Sequence, residues 1–301
     1  MSTPTERPWL PLAAVAVSLV FWASAFVAIR HLVGDFSPGA LSLGRLLVGS
    51  VCLGVAAIAR GLVAPTRREW VSLVVIGVLW FGVYNVALNA GERQVDAGTA
   101  AMLIQLSPVL IAVLAALFLD ERFTLYLAIG LALAFGGVVL ISLGDVGGDT
   151  HVSGVLLCLL SALVYSISLI LQKPLVARLS AVQVTWLACS IGTVACLPFS
   201  GSLVSQTADA PASSVLWVVY LGVFPTAIAF TTYAFALSHM SASSLGVTTY
   251  LVPPITILLG VVFLGEAPPA LAYVGGVLAL VGVGIARRRR AGAATKEPAP
   301  A

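Results

Sequence analysis

The polar and aromatic side chains that could bind a solute lie inside long apolar stretches of this chain. Asn85 and Asn89 are four residues apart on one face of such a stretch, and Trp80 and Tyr84 lie beside that face. An uncharged amide inside a membrane must find a hydrogen-bond partner or line a wet cavity. We therefore expect these four residues to line a cavity suited to a zwitterionic or aromatic solute. The alternative is a hydrogen bond that joins two helices.

Prolines interrupt two other apolar stretches near their middle. Pro108 in one stretch, and Pro253 and Pro254 in another, remove helical hydrogen bonds and free backbone carbonyl groups. Free carbonyls are costly in lipid, so we expect these breaks to line a cavity rather than to be plain kinks. Gln105 and Tyr250 lie one turn before the prolines, where they either bind a solute or join two helices. Further cavity residues of this kind are predicted at Trp22, Tyr165 and Thr231.

Arg45 is the one charged residue well inside an apolar stretch. A charge at membrane depth is costly unless another group compensates it. Arg45 lies about 9 Å from the outer end of its stretch, because an α-helix rises about 1.5 Å per residue. Its side chain is therefore expected to extend to the outer headgroups, to pair with a structural partner or to hold a substrate carboxylate.

The composition identifies an integral membrane protein. Hydrophobic residues make up 60% of the chain and charged residues only 9%, whereas a soluble domain carries roughly 25% charge. The net charge of +3 excludes an extended nucleic-acid surface. The four cysteines have no CxxC spacing and the three histidines form no i, i+4 pair, so neither a metal site nor a cofactor is expected.

Ten apolar stretches are long enough to cross a bilayer as helices. They cover roughly residues 9–29, 39–59, 70–90, 97–119, 124–143, 153–172, 183–200, 213–236, 243–264 and 268–286. With the N-terminus in the cytoplasm, twelve Lys and Arg residues fall on the cytoplasmic side and two on the outer side. Cytoplasmic loops are enriched in these residues, which predicts ten spans with both termini inside. The Ala/Pro-rich tail, residues 291–301, is expected to be a disordered cytoplasmic segment.

A shift of 145 residues aligns the chain with itself. The segment 106–121 then falls on 251–266, and eleven residues between 106 and 138 are identical to their counterparts. Each copy holds five spans, an odd number, so the second copy must be inserted upside down relative to the first. The sequence thus predicts an all-α integral membrane fold of two inverted five-helix repeats, residues 1–148 and 149–290. Inverted repeats are the architecture of secondary transporters.

These residues resemble the drug/metabolite transporter superfamily, in its ten-helix EamA type. In the first half the resemblance rests on Phe21-Trp22, Arg45, the segment 98–101, Pro108 and the segment 118–121. In the second half it rests on the segments 233–237 and 241–243, Pro253 and the segment 263–266.

The resemblance implies a transporter rather than an enzyme, located in the plasma membrane of a prokaryote. It implies export of small organic solutes such as amino acids or metabolites, by alternating access around a midplane cavity between spans 1, 3, 4, 6, 8 and 9. The expected partners are a small-molecule substrate and the lipid bilayer, with no nucleic acid, and the chain is compatible with a monomer or a homodimer.

Two alternative functions remain open from the sequence. The first is multidrug efflux by proton antiport, and the second is an intramembrane enzyme that processes lipid. No Asp or Glu lies within any span, and proton-coupled transporters generally rely on buried acidic groups. This favours facilitated diffusion, unless groups at the membrane rim such as Glu92 and Asp96 carry the proton.

Overall fold

The protein is helical throughout the part of the chain that the structure describes. This computed structural model describes residues 9–118, 125–143, 152–240, 245, 248–266 and 268–287. Within those ranges every regular element is a helix. The predicted tail at 291–301 and Glu121, the end of the aligned segment in the first repeat, lie outside the described residues.

Helical segments occur in each of the ten apolar stretches. In the first half they are α1 (Trp9–Leu32), α2 (Pro38–Ala59), α3 (Arg67–Ile76), π1 (Gly77–Val83), α4 (Tyr84–Gly91), α5 (Ala97–Ile104), α6 (Ser107–Phe118) and α7 (Leu125–Leu143). In the second half they are α8 (Val152–Leu175), α9 (Ala181–Ala195), α10 (Ser200–Asp209), α11 (Ala212–Leu221), π2 (Gly222–Ile228), α12 (Ala229–His239), α13 (Val252–Leu264) and α14 (Ala270–Arg287). Short 3₁₀ turns occupy Leu197–Phe199 and Thr249–Leu251.

Among the described residues, five continuous helices are long and apolar enough to cross a membrane. They are Trp9–Leu32, Pro38–Ala59, Arg67–Gly91, Val152–Leu175 and Ala212–His239. A sixth span is added if Ala181–Ala195 and Leu197–Asp209, which meet at a bend of 53°, are counted together. Helix breaks around Gln105 and Tyr250 divide two further apolar stretches.

Side-chain caps fix the start of several helices. Ser37 accepts a hydrogen bond from the Ala40 backbone N–H and Pro38 follows as the first residue of α2. Thr66 and Glu69 form a reciprocal capping box at the start of α3. Asp96 accepts from the Thr99 N–H at the start of α5. These residues satisfy amide groups that a helix terminus leaves without intrahelical partners.

The outer surface of the bundle is apolar, as a lipid-facing surface must be. On α2 an exposed stripe recurs every three to four residues, formed by Leu47, Val51, Val55 and Ile58, which are 39% to 69% exposed. The opposite face of α2 is buried against α9 and π2. A surface of this kind is stable in hydrocarbon but not in water.

The span predicted at residues 183–200 differs from the sequence expectation. The α-helix ends at Ala195, the chain bends at the Leu197–Phe199 turn, and α10 extends the helical path to Asp209. Pro198 explains the bend, because proline donates no backbone hydrogen bond and fixes φ. Residues 200–209 were missed because they are too polar for a hydropathy window.

Two π-helical segments interrupt long spans, and they are 145 residues apart. π1 and π2 begin at Gly77 and Gly222, so the backbone distortion follows the same shift as the sequence repeat. Both glycines allow close packing: a Cβ atom on Gly77 would lie 2.8 Å from the Ala188 carbonyl oxygen. On Gly222 it would lie 2.8 Å from the Arg45 carbonyl oxygen.

We predict that Gly77→Ala and Gly222→Ala each lower the free energy of unfolding by about 1–3 kcal/mol, since backbone atoms must move to admit the methyl group. Gly201→Ala is the matched control, because a Cβ there meets nothing within 4 Å. Thermal unfolding in detergent micelles measures the difference. Equal unfolding midpoints for the three variants would contradict the close-packing argument.

Candidate functional site: a central aromatic cavity

A cavity of about 40 Å³ lies where helices of both halves meet. Its free space suffices for roughly three water molecules. Five of the residues predicted from the sequence line it, namely Trp22, Trp80, Tyr84, Gln105 and Tyr165. The other lining residues are Phe26, Ile104, Phe230, Thr249 and Val252.

Aromatic rings from four spans form most of the wall. The Trp22 ring centroid lies 4.6 Å from that of Tyr233 and 5.3 Å from that of Phe230. Trp80 lies 5.1 Å from both Phe230 and Tyr165. The Tyr165 and Tyr233 hydroxyls are 2.7 Å apart and hydrogen-bonded. The wall is therefore a connected aromatic cluster, a surface suited to the apolar or aromatic part of a solute.

The two helix breaks touch each other beside this cavity. Thr249, in the 3₁₀ turn before α13, donates a hydrogen bond to Gln105 Oε1 at 3.0 Å. The Ser107 hydroxyl donates to the Ile104 carbonyl at 2.5 Å, which satisfies the carbonyl that Pro108 leaves free. Gln105 therefore contacts the second half through Thr249.

The prolines start new helices rather than kink continuous ones. Pro108 is the second residue of α6, and Pro253 and Pro254 are the second and third residues of α13. At the start of a helix the missing N–H has no intrahelical partner to lose. Pro108, Pro253, Pro254 and Tyr250 are not among the cavity-lining residues.

The amides of the third span do not reach the cavity. Asn85 Nδ2 donates to the Phe81 carbonyl at 2.8 Å, a backbone group of π1. Asn89 Nδ2 donates to Ser42 Oγ at 2.9 Å and so joins this span to α2. The alternative of a hydrogen bond between two helices therefore describes Asn89, whereas Asn85 bonds within its own span. Thr231 is half-buried and also lies outside the lining.

Arg45 is buried in the bundle and does not extend to the headgroups. Its side chain is 3% exposed and its Nε donates to Thr226 Oγ1 in π2 at 3.1 Å. It borders a second void, of about 20 Å³, together with Trp22, Ala25, Phe26, Ile29, Tyr84, Leu88 and Phe230. Four of these side chains also line the central cavity, so the two voids are neighbours.

Charged residues at the ends of α1, α4 and α13 form a cluster that joins these helices. Arg30 Nε donates to the Glu266 carboxylate at 2.9 Å, and its Nη1 donates to the Glu92 backbone carbonyl at 3.0 Å. Glu92 lies directly after the end of α4 and is fully buried in the protein. Its carboxylate oxygens have no hydrogen-bond partner among the described residues. Asp96 caps α5.

Comparison with protein families identifies the chain. The model of the EamA-like transporter family matches it twice, over residues 9–143 and 152–288. The chain belongs to this family. This EamA-like transporter is therefore a multi-pass membrane protein that acts on a small-molecule solute, and it is not an enzyme. The prediction of an EamA-type transporter is confirmed.

Named relatives of this EamA-like transporter cover nearly its whole length. A probable terminal-alkyne amino-acid exporter of Streptantibioticus cattleyicolor is 38% identical over 93% of this chain and 94% of its own length. The uncharacterized transporter YdfC of Bacillus subtilis is 32% identical over 87% of this chain and 86% of its own. One crystal structure, 23% identical, has a TM-score of 0.64 and covers 92% of this chain and 96% of its own, which supports the fold.

Sequence reasoning missed several residues of the site in this EamA-like transporter. Phe26 and Phe230 contribute rings to the wall and Tyr233 packs against Trp22, but a Phe or Tyr in an apolar run has no distinguishing signature. Thr226 follows Pro225, and this proline in the middle of a span was an available signal. In the described ranges, no three His, Cys, Asp or Glu side chains are close enough together to bind a metal ion.

Burial raises the pKa of the Glu92 carboxyl well above its usual value near 4.5. The positive charges of Arg30 and Arg45 oppose this shift, whereas the negative charges of Glu266 and Asp96 add to it. The folded protein thus binds the proton more tightly than the unfolded chain. The stabilisation that comes from the protonated Glu92 carboxyl is fully present below the usual pKa. It is lost as the pH rises through the raised pKa of the folded protein.

We predict that Glu92→Gln flattens the dependence of stability on pH, because glutamine mimics the protonated carboxyl and does not titrate. The wild-type midpoint of thermal unfolding in detergent should fall between pH 5 and pH 8 by more than that of the variant. Parallel curves for the two proteins would show that Glu92 is ionised, or equally solvated, in the folded state.

Proposed function

We propose that this protein moves small organic solutes, such as amino acids or metabolites, outward across the cell membrane by alternating access. The observation that carries the proposal is the meeting of two helix breaks, one from each half, at Gln105 and Thr249 in the wall of an aromatic cavity. Broken helices in corresponding positions of two halves are typical of transporter substrate sites.

The proposed architecture is ten spans in two inverted repeats, residues 1–148 and 149–290, with both termini inside. It is supported by the two matches of the family model and by the π-helices that lie 145 residues apart. Contacts between span ends agree with it. Arg30 and Glu266, which pair, both belong to the proposed outer side, whereas Arg178 and Glu69, which also pair, belong to the inner side.

The size of the cavity indicates that transport needs a change of conformation. Pockets for small organic ligands usually measure about 300–1,000 Å³, whereas this one has about 40 Å³ of free space. In the proposed cycle, we assign this structure to a closed state in which the aromatic rings pack against each other. Opening must separate these rings, because they come from spans of both halves.

The proposed substrate class includes amino acids. It is supported by the name of the relative from Streptantibioticus cattleyicolor, a probable exporter of an amino acid. It is also supported by the aromatic wall, which suits an apolar side chain, and by the polar groups of Gln105 and Thr249 beside it.

Counterflow in proteoliposomes tests the proposal directly. The purified full-length protein is reconstituted, and the vesicles are loaded with amino acids or with nucleosides before a labelled solute of the same pool is added outside. We expect accelerated exchange of at least one solute relative to vesicles without protein. Failure to exchange any solute of either pool would contradict the proposed solute classes.

We predict that Val252→Phe slows this exchange at least roughly tenfold, because the larger side chain fills the cavity that Val252 lines. Val261→Phe is the matched control on the same helix, since Val261 is 48% exposed on the outer surface. The control should keep its exchange rate within about twofold, as is usual for surface substitutions. Equal rates for both variants would place the solute path elsewhere.

Proton antiport is a second candidate mechanism, favoured by the burial of Glu92. A carboxyl group that is fully buried beside Arg30 and Glu266 is placed where gain or loss of a proton changes the charge of the cluster. Counterflow and net uptake with and without a pH gradient separate the two mechanisms. In facilitated transport the rate of net uptake does not depend on the pH gradient. In antiport the gradient increases net uptake, and we expect Glu92→Gln to abolish that increase.

A further inference from the structure

Trp22 and Arg45, which both carry hydrogen-bond donors, border the void beside the central cavity. Trp22 Nε1 is buried and has no acceptor among the described residues. Arg45 borders the same void, and within the described ranges its one hydrogen bond is donated by Nε to Thr226. A guanidinium group carries five N–H donors, so four of them have no acceptor there.

The position of the Arg45 side chain is fixed by its surroundings. The Thr226 hydroxyl donates its own proton to the Leu221 carbonyl at 2.8 Å, so its oxygen is free to accept from Arg45 Nε. Helix α2 lies close to π2, since a Cβ atom on Gly49 would come within 2.8 Å of Thr226 Cγ2. Arg45 therefore cannot withdraw from the void without breaking this contact between the halves.

Arg45 forms no ion pair in the described part of the chain, although the buried Glu92 carboxyl lies near enough to interact with its charge. The two ion pairs found there are Arg30 with Glu266 and Arg178 with Glu69. A buried cation without a counter-ion is strongly destabilising, and a bound anion relieves that cost. The guanidinium fork matches the two oxygens of a carboxylate. Trp22, whose N–H has no acceptor among the described residues, borders the same void.

The dimensions of the void fit a small anionic group. Its free space of about 20 Å³ is that of one or two water molecules, which is the scale of a carboxylate group. Tyr84, Phe26, Trp22 and Phe230 border both this void and the central cavity. A solute held by its carboxylate at Arg45 would therefore have its apolar part among the aromatic rings.

We propose that Arg45 and the Trp22 N–H form a carboxylate-binding subsite, so that the solutes of this transporter are amino acids or other organic acids whose apolar part occupies the aromatic cavity. This inference rests on the proposed function and defines its substrate class more closely. It makes solutes without a carboxylate poor substrates, whatever their side chain.

The first test uses the wild-type protein and matched pools of solutes. Counterflow is measured with the twenty common amino acids, with the corresponding amino-acid amides and with nucleosides. We expect exchange within the amino-acid pool and exchange that is roughly 10- to 100-fold slower within the amide pool, as for the loss of a charged hydrogen bond. Amides differ from the acids only in the group that Arg45 would bind.

The second test compares variants of the arginine. Arg45→Gln should raise the half-saturating concentration of the amino acids roughly 10- to 100-fold and leave the slow exchange of the amides unchanged. Arg45→Lys keeps the charge and loses the fork, so it should retain part of the preference for acids. Arg68→Gln, at an exposed arginine, is the matched control and should behave like the wild type.

The outcomes separate the two proposals. Wild-type exchange of amides or nucleosides as fast as of amino acids overturns the carboxylate subsite and leaves the transport function intact. Unchanged half-saturating concentrations in a folded Arg45→Gln or Arg45→Lys protein also overturn it. If Arg45→Gln does not fold, the subsite is tested by the half-saturating concentrations of Arg45→Lys and by the preference of the wild type for amino acids over their amides. No exchange of any pool by the wild type overturns the proposed function, and the subsite with it.

Discussion

The rest of the structure depends on one constraint, which is that backbone polar groups in a membrane must find partners inside the protein. At three places where a span departs from the α-helix, a nearby side chain supplies such a partner. Asn85 donates to the Phe81 carbonyl in π1, Thr226 to the Leu221 carbonyl at the start of π2, and Ser107 to the Ile104 carbonyl before α6. Irregular backbone is stable at membrane depth at these places because a side-chain donor lies beside it.

This constraint also shapes the chemistry of the cavity. Polar side chains that satisfy the backbone are not available to a solute, so the cavity wall is mainly aromatic. Trp22 Nε1 and the Arg45 guanidinium are among the donors that remain near the voids. Arg45 borders the smaller void and not the central cavity, which separates its charge from the aromatic cavity.

Hydropathy analysis predicted where helical segments occur, because a membrane span needs a long run of apolar residues. The repeat was found because residues 145 positions apart match in order. Trp22, Trp80 and Tyr165 were also found, since they are large polar-edged aromatics inside spans. Asn85 and Asn89 were assigned to the cavity because periodicity gives a shared face but not the direction of that face. The bend at Pro198 and the π-helices escaped prediction, since they depend on local backbone geometry and not on mean hydropathy.

The two halves share a backbone feature at corresponding positions but differ in the side chains that border the voids. π1 and π2 correspond under the 145-residue shift, whereas the counterparts of Arg45 and Trp22 under that shift are Ser190 and Ile167. A symmetric backbone allows two equivalent exposures of one cavity, which alternating access requires. Unequal side chains give that cavity one charged end, so a solute that carries a carboxylate would have a single orientation in it. Symmetry thus serves movement in the proposed cycle, and the asymmetric residues serve recognition.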